Sequence, residues 1–188
     1  MTEVRPRLAF ESFTFAQVER FPKTGNRYEI IEGCLWVTAD PAADHQSIIS
    51  RLSDALNAAV PPALRVMQGV GVLLENAGSE SQYLIPDVLV VDRSATGVPA
   101  YRPADVHLAV EVVAPQTVTL DRVTKRHVYA QLGIPSYWIL EAAAPGRVSA
   151  LTLDPSGVYV TAAEAVGDEE LEVDHPFSMR ITPAALFR

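Results

Sequence analysis

Two carboxylate residues interrupt runs of sequence that are otherwise apolar. Asp87 follows Pro86 and precedes the apolar run 88–91, while Glu111 lies inside the apolar run 108–113. An ionised carboxylate in such a run costs several kcal/mol unless a partner compensates its charge. Two carboxylates on neighbouring strands commonly hold Mg²⁺, and an Arg side chain or backbone N–H groups are the alternative partners. The residues alone leave both interpretations open.

The third residue with a possible chemical role is Lys125. It follows Glu111 after a connection, residues 114–121, that is rich in turn-forming and helix-capping residues, so it is expected in the first turns of the next helix. A cation there can steady a metal-activated water or the charge that develops on a phosphate. An ordinary solvated lysine is the alternative. Lys occurs only at Lys23 and Lys125, and the other 13 of the 15 basic residues are Arg, which favours a specific role.

Two further polar residues lie at predicted helix starts. Asp121 is expected to cap the helix that carries Lys125, which would help to position that lysine. His45 follows Asp44 at the start of an earlier helix. A capping or surface histidine is the alternative there to a role in the site.

The composition sets limits on fold and partners. With 188 residues, 48% of them hydrophobic and 20% charged, the chain suits one globular domain. Its 15 basic and 23 acidic residues give a net charge of -8, which argues against coating nucleic acid through bulk positive charge. A local basic groove stays open, with Arg51, Arg65, Arg93, Arg102, Arg122 and Arg126 as its candidates.

Several observations favour a soluble cytoplasmic protein. Residues 1–10 have no apolar core of the kind found in signal peptides, and no apolar run reaches the roughly 18 residues of a membrane span. The single cysteine, Cys34, excludes an internal disulfide and a Cys-rich zinc site. Because it lies beside Leu35 and Trp36, Cys34 is expected to be a small buried hydrophobic residue.

The spacing of apolar and turn-forming residues predicts the elements that position these candidates. Thr14 and Gln17 form the pattern of a capping box, and Glu32-Gly33 marks the turn of a hairpin. Apolar residues at three-four spacing after Asp44 predict a long helix. In chain order we expect a helix over 13–18, a hairpin over 28–38, a helix over 44–60, strands over 66–74, 83–91 and 106–113, a helix over 121–132, a strand over 137–140, a hairpin over 148–162 and a short helix over 183–187.

These elements predict an α/β fold. Its core has the order helix, three strands, helix, strand around a mixed sheet, and its near-continuous apolar strands are expected to be covered on both faces. We expect a single domain over residues 1–188, with its core over about 44–141. An N-terminal helix and hairpin over 10–38, and a C-terminal hairpin and short helix over 147–188, add β-hairpins at both ends.

A longer set of residues, ordered along nearly the whole chain, resembles a known nuclease family. Pro86-Asp87, then Glu111 in an apolar strand, then a lysine resembles the PD-(D/E)XK nuclease superfamily. The full set resembles more closely the Uma-type family of restriction endonucleases. The matching residues are Tyr28-Glu29-Ile30-Ile31-Glu32-Gly33, His45-Gln46, Pro86-Asp87-Val88, Glu111-Val112-Val113-Ala114-Pro115, Thr117, Asp121, Lys125, Tyr129-Ala130, Gly133-Ile134-Pro135 and Tyr137-Trp138.

This resemblance implies a restriction-endonuclease-like fold and an endonuclease that cleaves DNA with Mg²⁺ or Mn²⁺. It implies Asp87 and Glu111 as metal ligands and Lys125 as the catalytic cation. In the E-x-K pattern of the superfamily the lysine lies two residues after the glutamate, where this chain has Val113. The Uma-type pattern places its lysine in the next helix, and Lys125 fits that position.

The resemblance also implies supporting residues. Nuclease sites of this type often include a further acid from an N-terminal element, and Glu29 and Glu32 flank the first predicted hairpin. Glu32, directly before Gly33, is more typical of a plain turn residue.

Three functions compete at this point. The first is metal-dependent cleavage of DNA, so that DNA would be the binding partner of the chain. The second is a catalytically inactive interaction module with a nuclease fold, which the net charge of -8 favours. The third is a metal-dependent hydrolase of a small phosphorylated substrate.

The outer strands of the terminal hairpins offer sheet edges that need covering, which predicts a homodimer.

Overall fold

The secondary structure was obtained from a computed structural model, which describes residues 12–22, 25–75, 81–95 and 99–187. The N-terminal residues 1–10 and Lys23, both considered in the sequence analysis, lie outside the described residues. The helical elements are α1 (Phe15–Val18), α2 (Ala43–Ala59), a 3₁₀ turn (Pro103–Asp105), a π-helical segment (Leu120–Lys125), α3 (Arg126–Gln131) and α4 (Pro183–Phe187). The strands are β1 (Asn26–Ile31), β2 (Cys34–Ala39), β3 (Leu64–Gln68), β4 (Gly71–Leu74), β5 (Gln82–Leu84), β6 (Val88–Asp92), β7 (Ala100–Tyr101), β8 (Val106–Val113), β9 (Ser136–Glu141), β10 (Arg147–Leu153), β11 (Tyr159–Val166), β12 (Leu171–Val173) and β13 (Met179–Ile181).

A six-stranded mixed sheet forms the centre of the fold. Its strand order is β11-β10-β9-β8-β6-β3; β8 and β9 run parallel, and the other neighbouring pairs are antiparallel. Along the chain, α2, β3, β6, β8, α3 and β9 reproduce the predicted order of helix, three strands, helix and strand. The predicted α/β class with a mixed sheet is therefore confirmed.

Both faces of this sheet are covered, as its apolar strands predicted. Val88 and Val90 pack on one face against α2 and the C-terminal elements, whereas Leu89 and Val91 pack on the other face with Tyr129 of α3. This alternation follows the two-residue period of a strand. The α2 side chains in the first core are Ile48, Ile49, Leu52 and Leu56.

Two of the predicted strands are wrong in extent, because each is broken in two. The run 66–74 leaves the central sheet after β3 and enters a second, five-stranded sheet of order β2-β1-β5-β4-β7 as β4. Gly69, with φ of 58°, lies in this break. Pro86, which has no backbone N–H to donate, lies in the corresponding break between β5 and β6. The breaks are adjacent, since the Gly69 N–H donates to the Asp87 carbonyl oxygen at 3.2 Å.

The terminal hairpins form where they were predicted. Residues Glu32 and Gly33 turn the first hairpin with φ of 51° and 75°, the left-handed conformations that a tight hairpin turn requires. The outer strands of the two hairpins, β2 and β11, each form the edge of a sheet. Cys34 is exposed on β2, so its expected burial is wrong; an edge strand leaves its side chains less covered than an inner one.

Some short elements carry no clear signal in the sequence. β7, β12 and β13 have two or three residues each, too few for a periodic pattern. The helix predicted over 121–132 is present, but its first part is π-helical. Within the described ranges, none of the helices combines the length and hydrophobicity of a membrane span.

Truncation of Leu52, which is fully buried between α2 and the central sheet, should destabilise the fold. We expect Leu52→Ala to lower the free energy of unfolding by about 2–5 kcal/mol, because it removes buried apolar surface and leaves a cavity. Urea denaturation measures the change. Val158→Ala, at an exposed position, is the control and should change it by less than about 0.5 kcal/mol. Equal effects of both substitutions would contradict this assignment of the core.

Candidate active site

The pairing of β6 with β8 brings the two predicted metal ligands together. The strands are antiparallel with Val88 opposite Val110, and one further step of this register places Asp87 beside Glu111. Asp87 Oδ2 accepts a hydrogen bond of 2.9 Å from the backbone N–H of Val112. Both carboxylates are buried, with 3% of each residue exposed.

Lys125 is buried at the centre of a group of carboxylates. Its Nζ lies 2.9 Å from Glu111 Oε1, 3.0 Å from Glu29 Oε1 and 4.0 Å from Asp121 Oδ1. Burial by itself lowers the pKa of Lys125, but the negative charges of these three carboxylates raise it above its ordinary value. The three carboxylates therefore favour the protonated form of Lys125.

Glu29 connects this lysine to the second sheet. It lies in β1, and the same oxygen that contacts Lys125 accepts a hydrogen bond of 2.7 Å from the backbone N–H of Ile85. Ile85 belongs to the break between β5 and β6, two residues before Asp87. The break and the site are thus tied together by one carboxylate.

The π-helical segment supplies both Asp121 and Lys125. The predicted capping role of Asp121 is wrong, because Thr119 occupies the N-cap position and Asp121 lies inside the first turn. Its Oδ2 accepts a hydrogen bond of 2.5 Å from the Thr117 hydroxyl. Burial raises the pKa of Asp121 to about 6, against the opposing effect of the Lys125 charge. Turns of π-helix are frequent at functional sites.

Asp87 contacts two side chains that carry or can carry positive charge. Arg27 Nη1 donates to Asp87 Oδ1 at 2.7 Å, and His45 Nε2 lies 3.4 Å from Asp87 Oδ2. His45 Nε2 also donates to the Val112 carbonyl oxygen at 2.7 Å. Burial by itself lowers the pKa of Arg27, but the Asp87 charge raises it above its ordinary value. Asp87 therefore has the Arg and backbone partners that the sequence left open as the alternative to a metal.

Glu111 is oriented by a buried tyrosine. The Tyr129 hydroxyl donates to Glu111 Oε1 at 2.8 Å, and the Tyr129 and Tyr137 rings pack with their centroids 5.2 Å apart. The Tyr137 hydroxyl donates to the backbone oxygen of Asp121 at 2.8 Å. Burial raises the pKa of Glu111 well above its ordinary range, and the Lys125 charge acts in the opposite direction.

The structure brings together all but one of the residues that the sequence singled out. Glu32 is left out, since it is exposed in the hairpin turn and matches the plain turn residue considered above. Arg27 and Tyr129 were missed as members of the site. Arg27 had a signal, because residues two apart in a strand share a face and Arg27 precedes Glu29 by two. The residues brought together are Glu29, His45, Asp87, Glu111, Asp121 and Lys125.

The six arginines proposed for a basic groove are each engaged elsewhere. Arg102 and Arg122 pair with acidic side chains, Asp105 and Glu141. The other four donate to backbone carbonyl oxygens, Arg65 and Arg93 at the same end of β3 and β6, and they are Arg51, Arg65, Arg93 and Arg126. Arg27 is instead the arginine that contacts the site.

The donor set at the site fits a hard divalent cation. Four buried carboxylates, called here the acidic cluster, meet at the site: Glu29, Asp87, Glu111 and Asp121. They outnumber by two the permanently charged cations that contact them, Arg27 and Lys125. No three His, Cys, Asp or Glu side chains in the described part of the chain are arranged to hold a metal ion. Mg²⁺, however, usually keeps several waters and binds one or two carboxylates together with substrate phosphates. Asp87 and Glu111 suit that mode of binding.

Comparisons with known proteins identify the family and the fold. A family model described as "Putative restriction endonuclease" (Uma2) matches residues 15–184. The chain belongs to the Uma2 family. Its fold is similar to a crystal structure described as "a putative nuclease belonging to DUF820" from Anabaena variabilis ATCC 29413, with a TM-score of 0.67 and 16% sequence identity over 93% of this chain and 97% of that chain. Among curated proteins, none matches the chain.

Loss of the central cation should destabilise this Uma2 chain in a pH-dependent way. We expect Lys125→Met to lower the free energy of unfolding by about 3–5 kcal/mol at pH values above 7, because Glu111 and Glu29 lose their partner. The pKa values of Glu111 and Asp121 are raised in the folded state, so these carboxyls become neutral in the folded protein as the pH falls. The loss should therefore shrink as the pH falls below about 6.

Urea denaturation at a pH above 7 and at a pH below about 6 checks this expectation. Arg180→Met is the control, because Arg180 pairs with Glu172 at the surface, and it should leave the stability nearly unchanged at both pH values. A Lys125→Met loss that is independent of pH would show that the carboxylates do not depend on this lysine.

Proposed function

We propose that the chain is a metal-dependent endonuclease that hydrolyses DNA phosphodiester bonds with Mg²⁺ or Mn²⁺. The observation that carries the proposal is the buried pair Asp87 and Glu111 beside the protonated Lys125. Membership of the Uma2 family supports nuclease activity in general, and the choice of DNA and of the metal belongs to the proposal. The cytoplasmic location expected from the sequence stays a prediction.

In this proposal Asp87 and Glu111 would hold the metal ion. Such an ion, when bound, lowers the pKa of a coordinated water and polarises the phosphate. Lys125 supplies a fixed positive charge next to Glu111, suited to the negative charge that develops on the phosphate. Tyr129 holds Glu111 through Oε1 and so limits the orientations of its carboxylate. The guanidinium of Arg27, at the edge of the site, has the planar donor geometry that phosphates favour.

One observation favours the second function, an interaction module without turnover. Arg27 occupies Asp87 Oδ1, so the carboxylate is already compensated without a metal. The net charge of -8 points in the same direction. A hydrolase of a small phosphorylated substrate, the third function, needs less positive surface than a nuclease.

Removal of either proposed ligand should abolish metal-dependent cleavage. We expect Asp87→Asn and Glu111→Gln, which keep the side-chain shape, to lower the cleavage rate by at least about 100-fold, the size typical of losing an electrostatic group at a reacting centre. Cleavage of single-stranded DNA, duplex DNA and a small phosphodiester is measured with Mg²⁺ and with a chelator. Glu164→Gln, at an exposed ion pair with Arg147, is the matched control and should cleave normally.

The same panel separates the three functions. Cleavage of the small phosphodiester alone would favour the third function. No cleavage of any substrate by the unsubstituted chain, together with no Mg²⁺ binding by calorimetry, would favour the interaction module. Equal cleavage by the unsubstituted chain and both ligand variants would overturn the assignment of Asp87 and Glu111.

We further propose that two copies of the chain pair through β2. This strand is a sheet edge, none of its six residues is charged, and Trp36 and Val37 are 40% and 52% exposed. An uncharged edge strand with exposed apolar side chains is open to pairing with another strand. Antiparallel pairing of β2 with its own copy satisfies two-fold symmetry.

A charge on this edge should separate the two copies. We expect the chain to sediment as a dimer and Val37→Lys to sediment as a monomer, because the symmetric contact would bring two lysines together. Analytical ultracentrifugation measures both masses. Val160→Lys, on the β11 edge, is the control and should remain dimeric. A monomeric unsubstituted chain would refute the dimer, and a monomeric Val160→Lys would move the contact to β11.

A further inference from the structure

An open cleft of about 730 Å³ lies beside the acidic cluster. Four aromatic side chains contribute to its wall, and they form two pairs: the ring centroids of Phe15 and Tyr83 are 4.7 Å apart, and those of Phe21 and Tyr28 are 5.0 Å apart. All four side chains are half-buried, so part of each remains accessible. The cleft has the volume of a typical small-ligand site.

The position of the Tyr83 ring depends on a residue without a side chain. A Cβ atom at Gly71 would lie 2.2 Å from the ring of Tyr83, so only glycine leaves room for the ring there. The rings in the cleft wall are therefore placed by the backbone of β4 as well as by their own strands.

The cleft borders the candidate active site through two of its lining residues, Arg27 and Ile85. Arg27 lines the cleft and also donates to Asp87 Oδ1 at 2.7 Å. Ile85 lines it as well, and its backbone N–H donates to Glu29. A group in the cleft would therefore lie next to the residues that are proposed to hold the metal.

We propose that the cleft binds an unstacked nucleobase of the substrate strand, with the neighbouring phosphate directed towards Arg27. This inference rests on the proposed nuclease function and names its substrate class, a nucleic acid that is single-stranded or has a splayed base. Every base has a π-face, so stacking on aromatic side chains binds any sequence. Asn26, Asp40 and Gln46 also line the cleft and offer donors and acceptors to a base edge.

The charge of the chain makes stacking the stronger source of affinity. A net charge of -8 gives little general attraction for a phosphate backbone. The bases of an intact duplex are stacked on one another, and a base must leave the stack before it can enter a cleft. We therefore expect single-stranded oligonucleotides to bind more tightly than the matching duplex.

Fluorescence anisotropy of a dye-labelled short single-stranded oligonucleotide, measured in a chelator so that no cleavage occurs, tests this inference. We expect Tyr83→Leu and Phe21→Leu each to raise Kd by about 10-fold or more. Tyr83→Phe keeps the ring and should bind like the unsubstituted chain. Phe187→Leu, a substitution of the same type on α4 and outside the cleft, is the control and should also bind normally. Thermal unfolding of each variant verifies that it is folded.

A second measurement identifies the base contact itself. An abasic residue is placed in turn at each position of the oligonucleotide. We expect the abasic residue at one position to raise the Kd of the unsubstituted chain. At the same position it should leave the already raised Kd of Tyr83→Leu unchanged. The inference would be overturned if the abasic residue and Tyr83→Leu each weakened binding independently, so that their effects on Kd added in free energy. An unchanged Kd for folded Tyr83→Leu and Phe21→Leu would overturn it as well. Failure of the unsubstituted chain to bind any oligonucleotide would overturn it too.

The outcome is separable from that of the proposed function. Cleft-dependent binding without cleavage would uphold the base-binding cleft and refute the nuclease. Normal cleavage of duplex and single-stranded DNA by folded Tyr83→Leu and Phe21→Leu would uphold the nuclease and refute the cleft.

Discussion

The ion pair between Lys125 and Glu111 is the interaction on which the rest of the site depends. The lysine also contacts Glu29 and Asp121, so one ammonium group joins β8 of the central sheet, β1 of the second sheet and the π-helical segment. Burial makes each charge dependent on its partners, because water cannot replace a lost contact there. Lys125 is both the charge that makes three acids tolerable in the interior and the cation that the proposed chemistry needs.

The strand breaks at Gly69 and Pro86 position Asp87 and Glu29 close to this lysine. Both chain segments pass between the sheets at one place, where the Gly69 N–H meets the Asp87 carbonyl oxygen. A straight strand through Asp87 would continue in the central sheet and would not present the Ile85 N–H to Glu29. The crossing thus brings Glu29 of β1 and Glu111 of β8 into the same small volume, where both contact Lys125.

The sequence predicted the parts of the site that stand out locally. Asp87 and Glu111 are charges in apolar runs, and Lys125 is one of two lysines, so each is visible without knowledge of the fold. The breaks at Gly69 and Pro86 were missed because both sheets need apolar residues, and an apolar run does not show to which sheet each half belongs. Tyr129 acquires its role only through its contact with Glu111, 18 residues away in sequence, whereas the two-residue spacing of Arg27 from Glu29 was a signal that was overlooked.

The acids of the site and the aromatic residues of the cleft lie mostly on different sheets. Glu111 lies in the central sheet and Asp87 directly before its strand β6, while Phe15, Phe21 and Tyr83 lie on or beside the second sheet. Residues that shape the cleft can therefore be exchanged without moving the acids. β1 is the exception, because Arg27, Tyr28 and Glu29 are consecutive and serve both regions. Within this one strand, a substitution that alters the proposed base-binding cleft falls directly beside a residue of the acidic cluster.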